Sequence, residues 1–157
     1  RAIADHAVRG VEIPRATESW QNDLKAVANT FRSLAHRYPR VFHLHFRYHA
    51  TGPSDHVASE IVYCAMRRAE LPDDRAAGLA LAFYAFVLGF ALAEAEGLLR
   101  PINDADEAEL DALDADAYKA TRALIPALKG LDPDLAFSAS MDAFIAGVAS
   151  FPDRAPS

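Results

Sequence analysis

Residues 76 to 93 read Ala76-Ala-Gly-Leu-Ala-Leu-Ala-Phe-Tyr-Ala-Phe-Val-Leu-Gly-Phe-Ala-Leu-Ala93, eighteen positions without a charge or a side-chain amide, in a chain that is otherwise acidic. A helix that is apolar all round has to be surrounded by lipid, by its own fold, or by a second copy of the chain. At ~1.5 Å per residue the run spans about 27 Å, just short of the roughly 30 Å hydrocarbon core of a bilayer. The flanks argue against lipid. Asp73, Asp74 and Arg75 precede the run, Glu94 and Glu96 follow it, and no cluster of cations on one side fixes an orientation. No signal-peptide pattern precedes it either, so no membrane partner is expected.

Placed at 100° intervals, the run resolves into three stripes. Leu79, Phe83, Phe86 and Phe90 make one, Leu81, Tyr84, Leu88 and Leu92 another, and Gly78, Ala82, Ala85 and Gly89 a small-residue seam between them. Two bulky faces fill two different spaces, while the seam lets a neighbouring helix approach closely. The reading is a central helix, over residues 73 to 99, shared between a core and a subunit interface. The phenylalanine stripe is expected at the interface, with Tyr84 and Leu88 toward the interior.

The rest of the chain fits an all-α domain. Its 157 residues suit one domain with a substantial core, and its alanine-rich composition without alternating β-branched residues favours helix throughout. Cys64 is the single cysteine, so no intrachain disulfide exists and a reducing, cytoplasmic setting is the economical expectation. The net charge of −6 is concentrated at one end: residues 1 to 100 carry 12 Lys or Arg against 11 Asp or Glu, residues 101 to 157 carry 4 against 11. That is not the clustered positive surface that neutralises phosphates. The acidic run from Asp104 to Asp116 is expected within a mobile connection over 100 to 115, because it lacks the glycine and the terminal glutamate of a calcium loop.

Other helices follow from their punctuation. Thr17 to Ser19 open one with Trp20, Leu24, Val27, Phe31, Leu34 and Tyr38 on a single stripe, ended by Pro39. A short helix runs from there to about His49, closed by Thr51, Gly52 and Pro53. Ser54 can cap another to about Glu70, with Val57, Ile61, Cys64 and Arg68 on one side and Val62, Met66 and Ala69 on another. Asp116 to Lys129 reads as a helix stopped by Gly130, and Asp132 with Pro133 starts the last one. That helix carries Phe137, Met141, Phe144, Ile145, Val148 and Phe151 on one broad stripe and Ala139, Ala146 and Ala149 opposite. Arg1 to Gly10 reads as a helix already under way.

No glycine-rich phosphate loop, Gly-x-Ser-x-Gly elbow or paired-cysteine motif is present, so catalysis has no positive motif. Four of the six histidines fall between 43 and 56. His45 and His49, one helical turn apart, have the spacing to chelate zinc, nickel or copper if a third ligand such as His56 or Glu60 joins them. Such a site would make a metal-dependent helical enzyme that activates water. With no further ligand located, hydrogen-bonded residues at the edge of a cavity are the preferred reading, and no cofactor is expected.

Four segments, in this order and spacing, resemble the C-terminal ligand-binding and dimerisation domain of TetR-type transcriptional regulators. They are Trp20-Gln-Asn-Asp-Leu24, His36-Arg-Tyr-Pro39, Phe86-Val-Leu-Gly89-Phe-Ala-Leu-Ala-Glu94, and Phe137-x-x-x-Met141-x-x-Phe144-Ile145-x-Gly147. The resemblance implies a bundle of about seven helices and a homodimer in which the long apolar helix and the last helix of each subunit form a four-helix interface. Phe83, Phe86, Phe90, Phe137, Met141, Phe144, Ile145 and Val148 are the interface candidates. It implies a small, largely apolar effector, for which the candidate contacts are Trp20, Leu24, Phe31, Phe46, His49, Tyr63, Met66, Tyr84, Leu88 and Tyr118. It also implies that DNA is read by an N-terminal helix-turn-helix that this sequence does not contain, residues 1 to 10 being the end of the connecting helix. The whole of 1 to 157 is then one effector-binding and dimerisation domain without enzymatic activity.

Overall fold

A computed structural model describes residues 13–40, 42 and 53–151. Seven helices and no strands are found among them, in an all-α arrangement. Ser19, in extended backbone, accepts a hydrogen bond from the Asn22 amide and starts α1 (Trp20–Arg37). Its stripe of Leu24, Val27, Phe31 and Leu34 is buried, and Trp20 is half-buried. Tyr38, the sixth member of the expected stripe, is exposed just beyond the end of the helix.

Of the two sides read for the second described helix, α2 (Pro53–Arg68), the one with Val62, Met66 and Ala69 turns inward. Ala58, Ile61, Val62, Ala65 and Met66 are buried, whereas Val57 and Cys64 are exposed. The alanines decide the face, because they allow α1 and α3 (Asp73–Ala95) to approach closely on both sides.

The same reasoning orients α3. Its buried stripe is Ala76, Ala80, Phe83, Val87 and Ala91, four of the five small or medium in size, packed against α1 and α2. It ends four residues earlier than the sequence suggests, and the cause is Gly97. With φ at +76°, Gly97 takes the left-handed conformation that closes a helix. The Leu98 amide then donates to the Ala93 carbonyl at 2.8 Å and the Gly97 amide to Glu94 at 3.0 Å, satisfying orphan carbonyls in the Schellman pattern.

The acidic segment expected as a mobile connection contains a helix, α4 (Asp104–Asp111). Asn103 caps it through the Ala105 and Asp106 amides, and Asp106 reaches back to the Asn103 amide at 3.0 Å. Arg100 pairs with Asp106 at 2.7 Å, and Lys129 with Glu107. These cations draw the carboxylates into local structure. The single helix expected over 116 to 129 is two short ones, α5 (Lys119–Ala123) and α6 (Ile125–Lys129). Pro126 has no amide hydrogen to give the Arg122 carbonyl, and its ring crowds that oxygen, so the helix breaks at Leu124.

Asp132 caps α7 (Pro133–Ala149) through the Asp134 and Leu135 amides, with Pro133 at the first position. This helix packs along α3. The seam between them is aromatic: Phe86 stacks on Phe137 and Phe144, each at 6.4 Å between centroids, and Phe90 meets Phe137 at 5.1 Å.

Candidate functional site

The structure divides the expected effector contacts into two groups. Leu24, Phe31 and Met66 come together in the core where α1, α2 and α3 meet, with Trp20, Tyr84 and Leu88 half-buried against them. The Phe31 and Tyr84 rings meet edge to face at 5.7 Å, and the Tyr84 hydroxyl is buried. Tyr63 and Tyr118 do not join this cluster. Tyr63 stands on the outer side of α2, turned away from the Val62 and Met66 face, and is 38% exposed; Tyr118 precedes α5 and is 48% exposed. Phe46 and the histidine pair His45 and His49 lie outside the described residues. Among the described residues no group of three or more metal-ligating side chains is placed to hold an ion.

Several interface candidates are used up within the chain. Phe83, Phe137, Met141 and Val148 are at most 3% exposed and Ile145 is 9% exposed, so they pack the interior and offer little surface to a second copy. Phe86, Phe90 and Phe144 are half-buried in the aromatic seam between α3 and α7. The phenylalanine stripe therefore joins the two helices of one chain. What α3 turns outward is Ala77, Gly78, Leu81, Ala82 and Ala85, and α7 turns outward Leu135, Ala139, Ala143, Ala146 and Gly147.

Polar chemistry is concentrated where α1, the end of α3 and the start of α7 converge. Arg32 donates from Nε and Nη2 to the two carboxylate oxygens of Glu94, at 2.7 and 2.5 Å. Its Nη2 also lies 2.6 Å from Asp134, and its guanidinium carbon sits 4.8 Å above the centre of the Phe137 ring. His36 Nε2 is 3.0 Å from the same Glu94. The Arg32 and Glu94 side chains are only 13% and 8% exposed, so this fork-to-fork pair is held largely away from water. These groups border a cleft of about 500 Å³ that also reaches Asn29, Ser33 and Arg37. Arg32 and Glu94 are 62 residues apart, and nothing in their local sequence connects them.

A second buried carboxylate holds the entry to α1. Asp23 accepts from the Thr17 amide at 2.8 Å and the Thr17 hydroxyl at 2.7 Å, and pairs with Arg68 at the end of α2. Arg68 also donates to the Thr17 carbonyl at 2.6 Å. The Trp20-Gln-Asn-Asp-Leu24 opening of α1 thus owes its aspartate to a clip between α1 and α2.

Both carboxylates titrate below their ordinary ranges. The Arg32 hydrogen bonds hold Glu94 down against the opposing effect of burial. For Asp23 burial pushes upward, but the Thr17 and Arg68 hydrogen bonds together outweigh it. A carboxylate whose pKa is depressed on folding contributes stability that is present above its unfolded value and lost as the pH falls through the folded value. Helical circular dichroism is accordingly expected to hold above the ordinary glutamate value of 4.5 and to fall progressively below it. Glu94→Gln should lower stability at neutral pH and flatten that acid limb. An acid limb unchanged in Glu94→Gln would contradict the assignment.

Residues 13–151 match the family model described as tetracyclin repressor-like, C-terminal domain. Among solved structures, a possible TetR family transcriptional regulator from Streptomyces coelicolor A3(2) is similar, with a TM-score of 0.75 and 26% identity over 94% of this chain and 74% of that one. The S. coelicolor TetR family protein ActR, in complex with actinorhodin, aligns with a TM-score of 0.80 and 21% identity over 98% and 75% of the two chains. Apo ActR aligns with a TM-score of 0.75 and 22% identity over 95% and 71%. No curated protein matches the chain in sequence.

Proposed function

The chain belongs to the tetracyclin repressor-like C-terminal domain family of the TetR regulators, and from that membership we propose that it is the effector-binding and homodimerisation domain of a cytoplasmic transcriptional regulator. A small, largely apolar effector is seated where Trp20, Tyr84 and Leu88 border the core of α1, α2 and α3. By favouring one arrangement of those helices it biases the spacing of two DNA-reading domains, each attached ahead of residue 1. The role is regulatory rather than catalytic.

The observation that carries this reading is the outward face of α3. Its most apolar window is only 28% buried within one chain, although the helix is long and apolar enough to cross a membrane. The face opposite the buried stripe is lined by Gly78, Ala82 and Ala85, and the matching face of α7 by Ala139, Ala143 and Ala146. A Cβ built on Gly78, Gly89 or Gly147 meets nothing within 4 Å. The chain's own packing does not require those glycines, even though each costs a helix interior about 1 kcal/mol relative to alanine. A pair of helices from a second copy, approaching backbone to backbone, does require small residues there.

Ala82→Arg tests the reading. Position 82 is exposed in one chain, so the variant should keep its helical circular dichroism, while its mass in solution falls from twice 17.1 kDa to 17.1 kDa. A variant that remains a dimer would move the interface elsewhere.

A further inference from the structure

The cleft beside Arg32 is distinct from the apolar core near Tyr84, and its donors are not all used. Glu94 takes Nε and one side of Nη2, Asp134 takes the other side of Nη2, and Nη1 has no acceptor among the described residues. Nη1 is not among the buried polar atoms, so it reaches the open cleft and can donate to whatever occupies it. Along the same face of α1, Asn29 and Ser33 make no side-chain hydrogen bond and Arg37 no ion pair among the described residues.

The carboxylate already on Arg32 shows what chemistry fits. Asp134 touches Nη2 while its own side chain is 82% exposed, so it is a tethered anion held from one edge only. Ion pairs of that kind contribute little. A free carboxylate can take the place of Asp134, using Nη1 and Nη2 together in the bidentate geometry that one aspartate oxygen does not reach. Arg37 adds positive charge, and Ser33 and Asn29 supply hydrogen bonds to the remainder of the molecule.

We propose that this cleft is a second ligand site, one that takes a small hydroxylated organic carboxylate by displacing Asp134 from Arg32. Glu94 stays in place, because its two hydrogen bonds and the adjacent His36 hold it. Occupancy frees the first turn of α7 from α1. The site does not depend on the chain being a dimer or on the apolar effector.

Gluconate is the probe, with sorbitol as the same body without the carboxylate and sodium chloride at equal ionic strength as the charge control. In a nitrogen–proton correlation titration of the whole chain, gluconate should shift the amides of Asn29 to Arg37 and of Asp134 saturably. Neither control should do so. Asp134→Asn removes the competitor and should tighten binding about two- to fivefold, the weight of an exposed ion pair. Arg37→Gln, at an exposed position whose recorded contact is with the ring of the neighbouring exposed Tyr38, should weaken it. Equal shifts with chloride or sorbitol, or an Asp134→Asn variant that binds no more tightly than the unsubstituted chain, would overturn the proposal.

Discussion

Arg32→Ala is expected to lower the free energy of unfolding by about 3–5 kcal/mol, the cost of leaving a buried charge without its partner. The physical reason lies in what stays behind. Glu94 remains only 8% exposed, and with Arg32 gone its remaining side-chain partner is the His36 imidazole at 3.0 Å. By contrast, Lys25→Ala breaks a pair with Asp142 whose side chains are 44% and 60% exposed, and should cost at most about 1 kcal/mol. The double variant Arg32→Met, Glu94→Leu removes both charges and fills the space with apolar atoms, so it should recover much of the loss. Urea unfolding of all four proteins at neutral pH makes the comparison. A double variant as unstable as Arg32→Ala would mean that packing of the arginine stem, and not the stranded carboxylate, carries the effect.

Phe83→Ala should cost a similar amount, about 3–5 kcal/mol, for a different reason. Its side chain is 0% exposed and its ring meets Tyr84 at 5.7 Å and Phe144 at 5.8 Å, so it fills the space between α3, the α1 side of the core and α7. Surrounding side chains already in contact cannot collapse fully into the vacated volume. Leu124→Ala, at a 56% exposed position between α5 and α6, should change stability by no more than about 0.5 kcal/mol. The proteins are compared at one concentration, because association adds a concentration-dependent contribution to apparent stability. A small loss in Phe83→Ala would show that the phenylalanine is not a core residue of one chain.

The starts of α1 and α7 were legible because they rest on local chemistry. Ser19 and Asp132 cap α1 and α7 as their sequences imply, since a side-chain oxygen two or three residues from an orphan amide needs no tertiary context. The orientation of α3 was not legible in the same way. A helix apolar on every side has no polar face to mark its outside, and periodicity favoured the large side chains. In the fold the inward stripe is set by Ala76, Ala80, Val87 and Ala91, whose small size lets α1 and α2 come close. Phe83 belongs to that inward stripe, and Phe86 and Phe90 then fall between α3 and α7. Tyr63 and Tyr118 were overvalued on residue type alone; the face of α2 and the end of the α4–α6 region, which decide their exposure, depend on contacts across the fold. The Arg32 and Glu94 pair was invisible for the same reason, as was the clip of Asp23 by Arg68 across 45 residues.

The central claim is that the small-residue faces of α3 and α7 join two copies of this chain around a ligand-responsive core. Sedimentation equilibrium of the unsubstituted 157-residue chain over the low micromolar range tests it most directly. The account predicts a species of twice 17.1 kDa that dissociates only on dilution. A single species of 17.1 kDa across that range would contradict it.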